Sequence, residues 1–215
     1  TVRLYDISGN LVKALSVQKT KTGKNEFIIS LFKESICYIC TVKTAFAIKS
    51  KKIVIVSGGE LEESFVLSEL ETLDSQFIIG VDKGMEFLYH HKILPSYIVG
   101  DFDSVDQKIG DYYCNETKVP IREFNPVKDA SDTEIAIRLA MTLGCKEMII
   151  LGATGGRIDH LWANIQSLAI PFQAGVEAQI LDPQNRIRLI DGDTVIKKDE
   201  AYGPFFSVFP LGAEV

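Results

Sequence analysis

Net positive charge, cysteine and long apolar runs are all scarce in this 215-residue chain, and each scarcity removes a class of function. Lys and Arg number 23 against 29 Asp and Glu, a formal net charge of −6. That balance argues against a general nucleic-acid or anionic-membrane binder. It leaves room for a nucleotide, because a local cation site can overrule the global sign. No apolar run reaches the roughly 18 to 20 residues of a membrane span. No cleavable signal pattern stands at the start, and Thr1 in place of Met points to a missing N-terminus. The four cysteines are Cys37, Cys40, Cys114 and Cys145. Cys37 and Cys40 form a C-x-x-C within a strand-like run, where positions i and i+3 face opposite sides. With no second pair and no histidine nearby, no zinc set is completed, and all four read as reduced thiols, mostly packing residues, which suits a reducing cytosol. A Walker A loop and a G-x-G-x-x-G are also missing.

The chain does contain a full core's worth of apolar residues. At 46% apolar and 24% charged it has the composition of a soluble globular protein of one or two domains. Residues 1–50 alternate in short runs, 2–6, 11–15, 26–31 and 37–43, which predicts a β meander. The pattern changes at Lys51. Residues 53–56 are a continuous β-branched run, the mark of a strand buried on both faces. A helix is expected over 60–73, with Leu61, Phe65 and Leu70 inward. Further strands follow at 77–81, 97–99, 119–124 and 148–151. Between them helices are predicted from Gly84 to Tyr89, over 105–114, from a capping box at Ser131 and Glu134 to Gly144, and over 159–170 with Trp162 in the core. Strands at helix-like intervals predict an α/β domain over 51–175, a parallel sheet with helices on both faces. Past Pro171 the helical period is lost. Residues 177–181, 186–190, 194–197 and 205–209 are strand-like and predict a second, β-rich module over 176–215.

The chemistry concentrates at strand ends. The apolar run Tyr97-Ile-Val99 leads into Gly100-Asp-Phe-Asp-Ser104. Asp101 and Asp103, two apart on extended chain, point the same way. Adjacent carboxylates repel unless something positive lies between them. Mg²⁺ held by one or two carboxylates and substrate phosphates meets that need, and a solvated acidic turn is the plain alternative. Four more loops carry suitable residues: Ser57-Gly58-Gly59, Asp82-Lys83-Gly84, Lys128 through Asp132-Thr133, and Gly152-Ala-Thr154-Gly155-Gly156-Arg157-Ile-Asp159-His160. In open α/β sheets ligands bind outside the carboxyl ends of strands. Glycines admit backbone N–H groups to phosphate oxygens, and helix N-termini favour anions. Arg157 offers a bidentate fork, while Lys83 and Lys128 offer point charges. Asp82, Asp101, Asp103 and Asp132 offer hard oxygens. Each piece has an ordinary explanation as well: a glycine turn, a strand-ending aspartate, a helix-favouring Asp132, a surface ion pair at Arg157, a packed His160. Their coincidence at strand ends supports a Mg-nucleotide site.

In that order and spacing, Asp82-Lys83-Gly84, Gly100-Asp-Phe-Asp-Ser104, Asp132-Thr133-Glu134 and Gly155-Gly156-Arg157-Ile158-Asp159-His160 closely resemble the thiamine pyrophosphokinases, over about residues 51–215. The resemblance implies a Rossmann-like nucleotide domain followed by a β-sandwich, here only begun. It implies transfer of pyrophosphate from ATP to the hydroxyl of thiamine with release of AMP, by a cytoplasmic homodimer. By the same resemblance Asp82, Asp101, Asp103 and Asp132 hold Mg²⁺, with Asp132 also at the thiamine hydroxyl. Gly58, Gly59, Asp82, Lys83, Lys128, Thr133, Thr154, Gly155, Arg157, Asp159 and His160 line the ATP site. Residues 1–50, through Leu4 to Val12 and the strand before Lys51, resemble the C-terminal sorting domain of type IX secretion. The alternatives are a Mg-nucleotide-binding protein without turnover, because the thiamine-binding part is incomplete, and a secreted β sorting module carrying the α/β part along.

Overall fold

The computed structural model of the protein describes residues 2–5, 11–15, 39–42, 51–72, 77–100, 102–122, 130–199 and 201–211. The chain divides into two compact units, Thr1–Lys49 and Ser50–Val215. In the first, β1 (Val2–Tyr5), β2 (Leu11–Leu15) and β3 (Ile39–Val42) form an antiparallel sheet in the order β2-β1-β3. A meander would have put β2 in the centre. Instead β3 returns to the free edge of β1. The strand expected at 26–31 and Cys37 lie outside the described residues.

The second unit is built on a seven-stranded sheet. Six strands run parallel: β4 (Lys51–Val56), β5 (Phe77–Val81), β6 (Tyr97–Val99), β7 (Ile121–Arg122), β8 (Cys145–Leu151) and β9 (Glu177–Leu181). A last strand, β10 (Arg186–Arg188), pairs antiparallel with β9, and the order is β10-β9-β8-β4-β5-β6-β7. The β-branched run of β4 is explained by its central place. Ile53 and Ile55 enter one apolar layer, Val54 and Val56 the other, and all four are buried. Removing such a side chain from water contributes about 1.5–3 kcal/mol.

Helices cover both faces. On one side lie α1 (Glu63–Glu71), through Val66 and Leu70, and α2 (Gly84–His90), through Leu88. Met85 of α2 also packs with Ile98 and with Ile109 and Tyr113 of α3 (Gln107–Asn115). On the other side α4 (Asp132–Thr142) buries Ile135, Ala136, Ile137, Leu139 and Ala140. It packs against α5 (Ile158–Ser167) and α6 (Ala169–Gln173). α4 starts where the capping pattern predicts, with Ser131 Oγ accepting from Glu134 N at 3.2 Å. Only half of the box is made, because the Glu134 carboxylate pairs forward with Arg138 at 2.7 Å. Beyond Thr142, Gly144 takes φ +81° and donates to Met141 O.

Four expectations are corrected. The β-rich module does not begin at 176, since β9 and β10 extend the α/β sheet. The polar start of β9 mimics a surface strand, yet Ile180 and Leu181 enter opposite core layers. Residues 194–197 and 205–209 form no strand among the described residues, and Val195, Phe205 and Phe209 are 84%, 90% and 80% exposed. The helix expected over 159–170 is two helices broken at Leu168, and Trp162 is exposed rather than core. Pro171 sits in the first turn of α6, where a missing N–H costs nothing.

Candidate active site

Four adjacent strands, β8, β4, β5 and β6, deliver their loops to one edge of the sheet. The chain proceeds outward from β4 to β7 on one side and then returns to place β8 and β9 on the other. The strand order therefore reverses between β4 and β8, which is where open α/β sheets form ligand crevices.

The loops at this reversal are knitted by backbone bonds. Ser57 N donates to Leu151 O, Gly59 N to Gly152 O at 2.7 Å, and Glu60 N to Thr154 O at 2.9 Å. A Cβ on Gly59 would stand 2.3 Å from Thr154 O and 2.5 Å from Gly152 O, so only glycine lets the two loops meet. The Gly59 N–H is thereby committed to protein. Asn164 of α5, buried, donates from Nδ2 to Ala153 O at 2.8 Å and holds the second loop from behind. On the other flank Gly58 lies against Asp82 and Lys83, and Gly155 against Glu60.

Asp82 and Phe102 carry the strained backbone of the site. Asp82 has φ 46° and Phe102 φ 65°, the left-handed region that a bulky residue rarely adopts. Phe102 is held there by packing on the Met85, Ile98, Ile109 and Tyr113 cluster. Its neighbour Asp103 is exposed. Asp82 Oδ1 lies where a Cβ on Gly100 would come within 2.7 Å, so a glycine at φ +147° admits the carboxylate to the foot of the Asp-x-Asp loop. Glu86 Oε1 accepts from Asp106 N at 2.8 Å and ties that loop to α2.

At the start of α4, Asp132 is half-buried and Thr133 buried. The Thr133 hydroxyl meets the Ser57 hydroxyl at 2.6 Å. Arg157, Asp159 and His160 open α5 as an exposed group. Arg157 grips Asp159 with two bonds, Nε to Oδ1 at 3.2 Å and Nη2 to Oδ2 at 2.5 Å, and His160 Nε2 stands 4.0 Å from Asp159 Oδ2. The guanidinium hydrogen bond holds the Asp159 carboxyl below its ordinary value, and the same bond raises Arg157. The fork engages Nε and Nη2 of the five-donor guanidinium.

Of the site residues predicted from sequence, Gly58, Gly59, Asp82, Lys83, Asp103, Asp132, Thr133, Thr154, Gly155, Arg157, Asp159 and His160 all lie in loops or first turns at strand ends or helix starts. Asp101 and Lys128 lie outside the described residues. Asn164 and Glu86 support the site without being marked in the sequence, and Ser57, read there only as part of its loop, supports it through its side chain. A Ser beside Gly-Gly reads as turn chemistry, and nothing local marks a partner 76 residues away. Among the described residues no three acidic, His or Cys side chains cluster as a metal cage. Mg²⁺ bound through few carboxylates plus phosphates needs no such cage, and the Gly100 cradle that admits the Asp82 carboxylate fits that donor chemistry.

Residues 69–180 match the sequence model of a family described as "Thiamin pyrophosphokinase, catalytic domain". A curated relative, the thiamine pyrophosphokinase of Bacillus subtilis (strain 168), is 32% identical over 154 residues, which is 70% of each chain. The solved thiamine pyrophosphokinase from Bacillus subtilis is similar with a TM-score of 0.55 at 29% identity, covering 64% of this chain and 63% of that one. The thiamin pyrophosphokinase family protein from Enterococcus faecalis is similar with a TM-score of 0.52 at 30% identity, covering 64% of each. This chain thus spans somewhat under two thirds of those solved chains.

Proposed function

This chain belongs to the thiamine pyrophosphokinase family, and on that premise we propose that it transfers the pyrophosphoryl group of ATP to thiamine. The observation that carries the reading is convergence. Loops bearing Asp82, Asp103 and Arg157, and the helix start bearing Asp132, occupy one carboxyl edge of a parallel sheet whose order reverses there. The doubly wound order is Rossmann-like, and ATP lies over the reversal between β4 and β8.

Asp82 and Asp103, with Asp101 and Asp132, would hold Mg²⁺, which when bound neutralises phosphate charge. The chain's own residues do the rest. Arg157 and Lys83, with Lys128, bind phosphate oxygens, and Asp159 fixes the orientation of the Arg157 fork. Thr154 and Gly155 shape the wall beside them, and Gly58 and Gly59 bring the facing loop close. Asp132 orients the thiamine hydroxyl and takes its proton. The hydroxyl oxygen bonds to the β-phosphorus, the bridge from that phosphorus to the α-phosphate breaks, and AMP leaves with the bond's electron pair. Catalysis of this kind rests on alignment and charge stabilisation.

The rest of the reading follows from the same family. The exposed apolar side chains Val195, Phe205, Phe206, Val208 and Phe209 stand where a β-rich thiamine-binding part begins, completed as a homodimer in the ATP-supplied cytoplasm. The test is product analysis after incubation with Mg-ATP and thiamine. AMP with thiamine diphosphate supports attack at the β-phosphorus. ADP with thiamine monophosphate would overturn it.

A further inference from the structure

The buried Ser57–Thr133 hydroxyl pair is unusual for where it sits. Ser57 is the first residue past β4 and Thr133 lies in the first turn of α4, and they are 5% and 6% exposed. Their oxygens are 2.6 Å apart. Ser57 also donates its backbone N–H to Leu151 O at the end of β8. One residue thus ties together the two strands at the reversal and the helix that presents Asp132. The start of α4 is also held by its own cap at Ser131 and by apolar residues one turn further on, among them Ile135, Ala136 and Ile137.

From this geometry we infer that Ser57 and Thr133 are positioning residues. Their hydroxyl bond sets the first turn of α4 against the β4–β8 crevice and so places Asp132 for reaction. The inference deepens the proposed function and rests on it for the role of Asp132. The Thr133 hydroxyl bonds the Ser57 hydroxyl, and that bond registers the helix start against β4. Small displacements of reacting groups are costly. A shift of about 1 Å can lower a rate on the order of a hundredfold.

Two buried hydroxyls that satisfy each other give an unusually clean test. Removing one leaves the other without its partner. Removing both, with shape kept, takes away the link without leaving an orphan. The variants are Ser57→Ala, Thr133→Val, the double variant Ser57→Ala/Thr133→Val, and Thr133→Ser, which keeps the hydroxyl. Each full-length chain is assayed for kcat and KM of thiamine-dependent AMP release and for its urea midpoint, and exchange of the Glu134 and Ile135 amides is followed.

The expected result is a midpoint lowered in the single variants and restored in the double, while kcat stays about tenfold or more below wild type in all three. KM for ATP changes less than threefold, and Thr133→Ser keeps near-normal kcat. In the double variant the Glu134 and Ile135 amides exchange faster at unchanged global stability. A double variant whose kcat recovers along with its stability overturns the inference, because the pair is then packing alone. A wild-type chain that releases no AMP overturns the functional reading instead. In that case exchange decides the link: faster exchange in the double variant sustains it, and unchanged exchange overturns it.

Discussion

Gly59 donates its N–H to Gly152 O at 2.7 Å, and its α-carbon stands where any added methyl would meet Thr154 O at 2.3 Å. The loops after β4 and β8 touch backbone to backbone, and neither can yield as a flexible side chain would. Gly59→Ala is therefore expected to cost about 3 kcal/mol through forced separation of the loops. Gly144→Ala is the control, with φ +81° but open space around it, and should cost about 1–2 kcal/mol from backbone strain alone. Urea unfolding of the two variants checks the order.

Asp103 is exposed beside the strained Phe102 and contributes little to packing. Asp103→Ala is expected to lower AMP formation a hundredfold or more while the unfolding free energy from urea titration stays within about 0.5 kcal/mol of wild type, as for surface changes generally. A near-normal rate with Mg²⁺ would remove Asp103 from the metal set.

The Arg157 hydrogen bond lowers the Asp159 carboxyl below its ordinary 3.8. A carboxyl depressed in the folded state contributes stability above its unfolded value and loses it as pH falls through the folded one. Both side chains are exposed, so the readout is the titration itself. Carbon NMR should find Asp159 titrating below 3.8 in wild type and near it in Arg157→Ala. Equal midpoints would mean that the fork does not persist in solution.

Phe205, Phe206, Val208 and Phe209 are 90%, 75%, 69% and 80% exposed. Contiguous apolar surface of this kind drives association. Phe205→Ser/Phe209→Ser should lower light scattering at high protein concentration, with the unfolding midpoint nearly unchanged. Loss of the midpoint would show instead that these rings pack in solution.

The parallel core was legible because residues 53–56 of β4 and 148–151 of β8 are buried on both faces and therefore read as unbroken apolar runs. The start of α4 was legible because capping is local chemistry, from Ser131 to Glu134. The strands β9 and β10 were harder. Strand pairing is a long-range choice, and Glu177 through Leu181 carries the alternation of a one-sided strand until its last two residues. Residues 194–197 and 205–209 have strand composition but form no strand among the described residues, because composition alone does not supply a strand to pair with. In the site, the loops were found through their own glycines and charges. The Ser57 link was not, because it depends on a contact between segments far apart in the chain. Trp162 was misplaced for a related reason, since helical spacing does not say which side of α5 faces the sheet.

The central claim is that this carboxyl edge performs thiamine-dependent cleavage of ATP. Its most direct test is AMP release by the full 215-residue chain, measured with and without thiamine and with and without Mg²⁺. The account predicts AMP only when both are present, with thiamine diphosphate formed in equal amount. AMP release indifferent to thiamine, or no release at all, would contradict it.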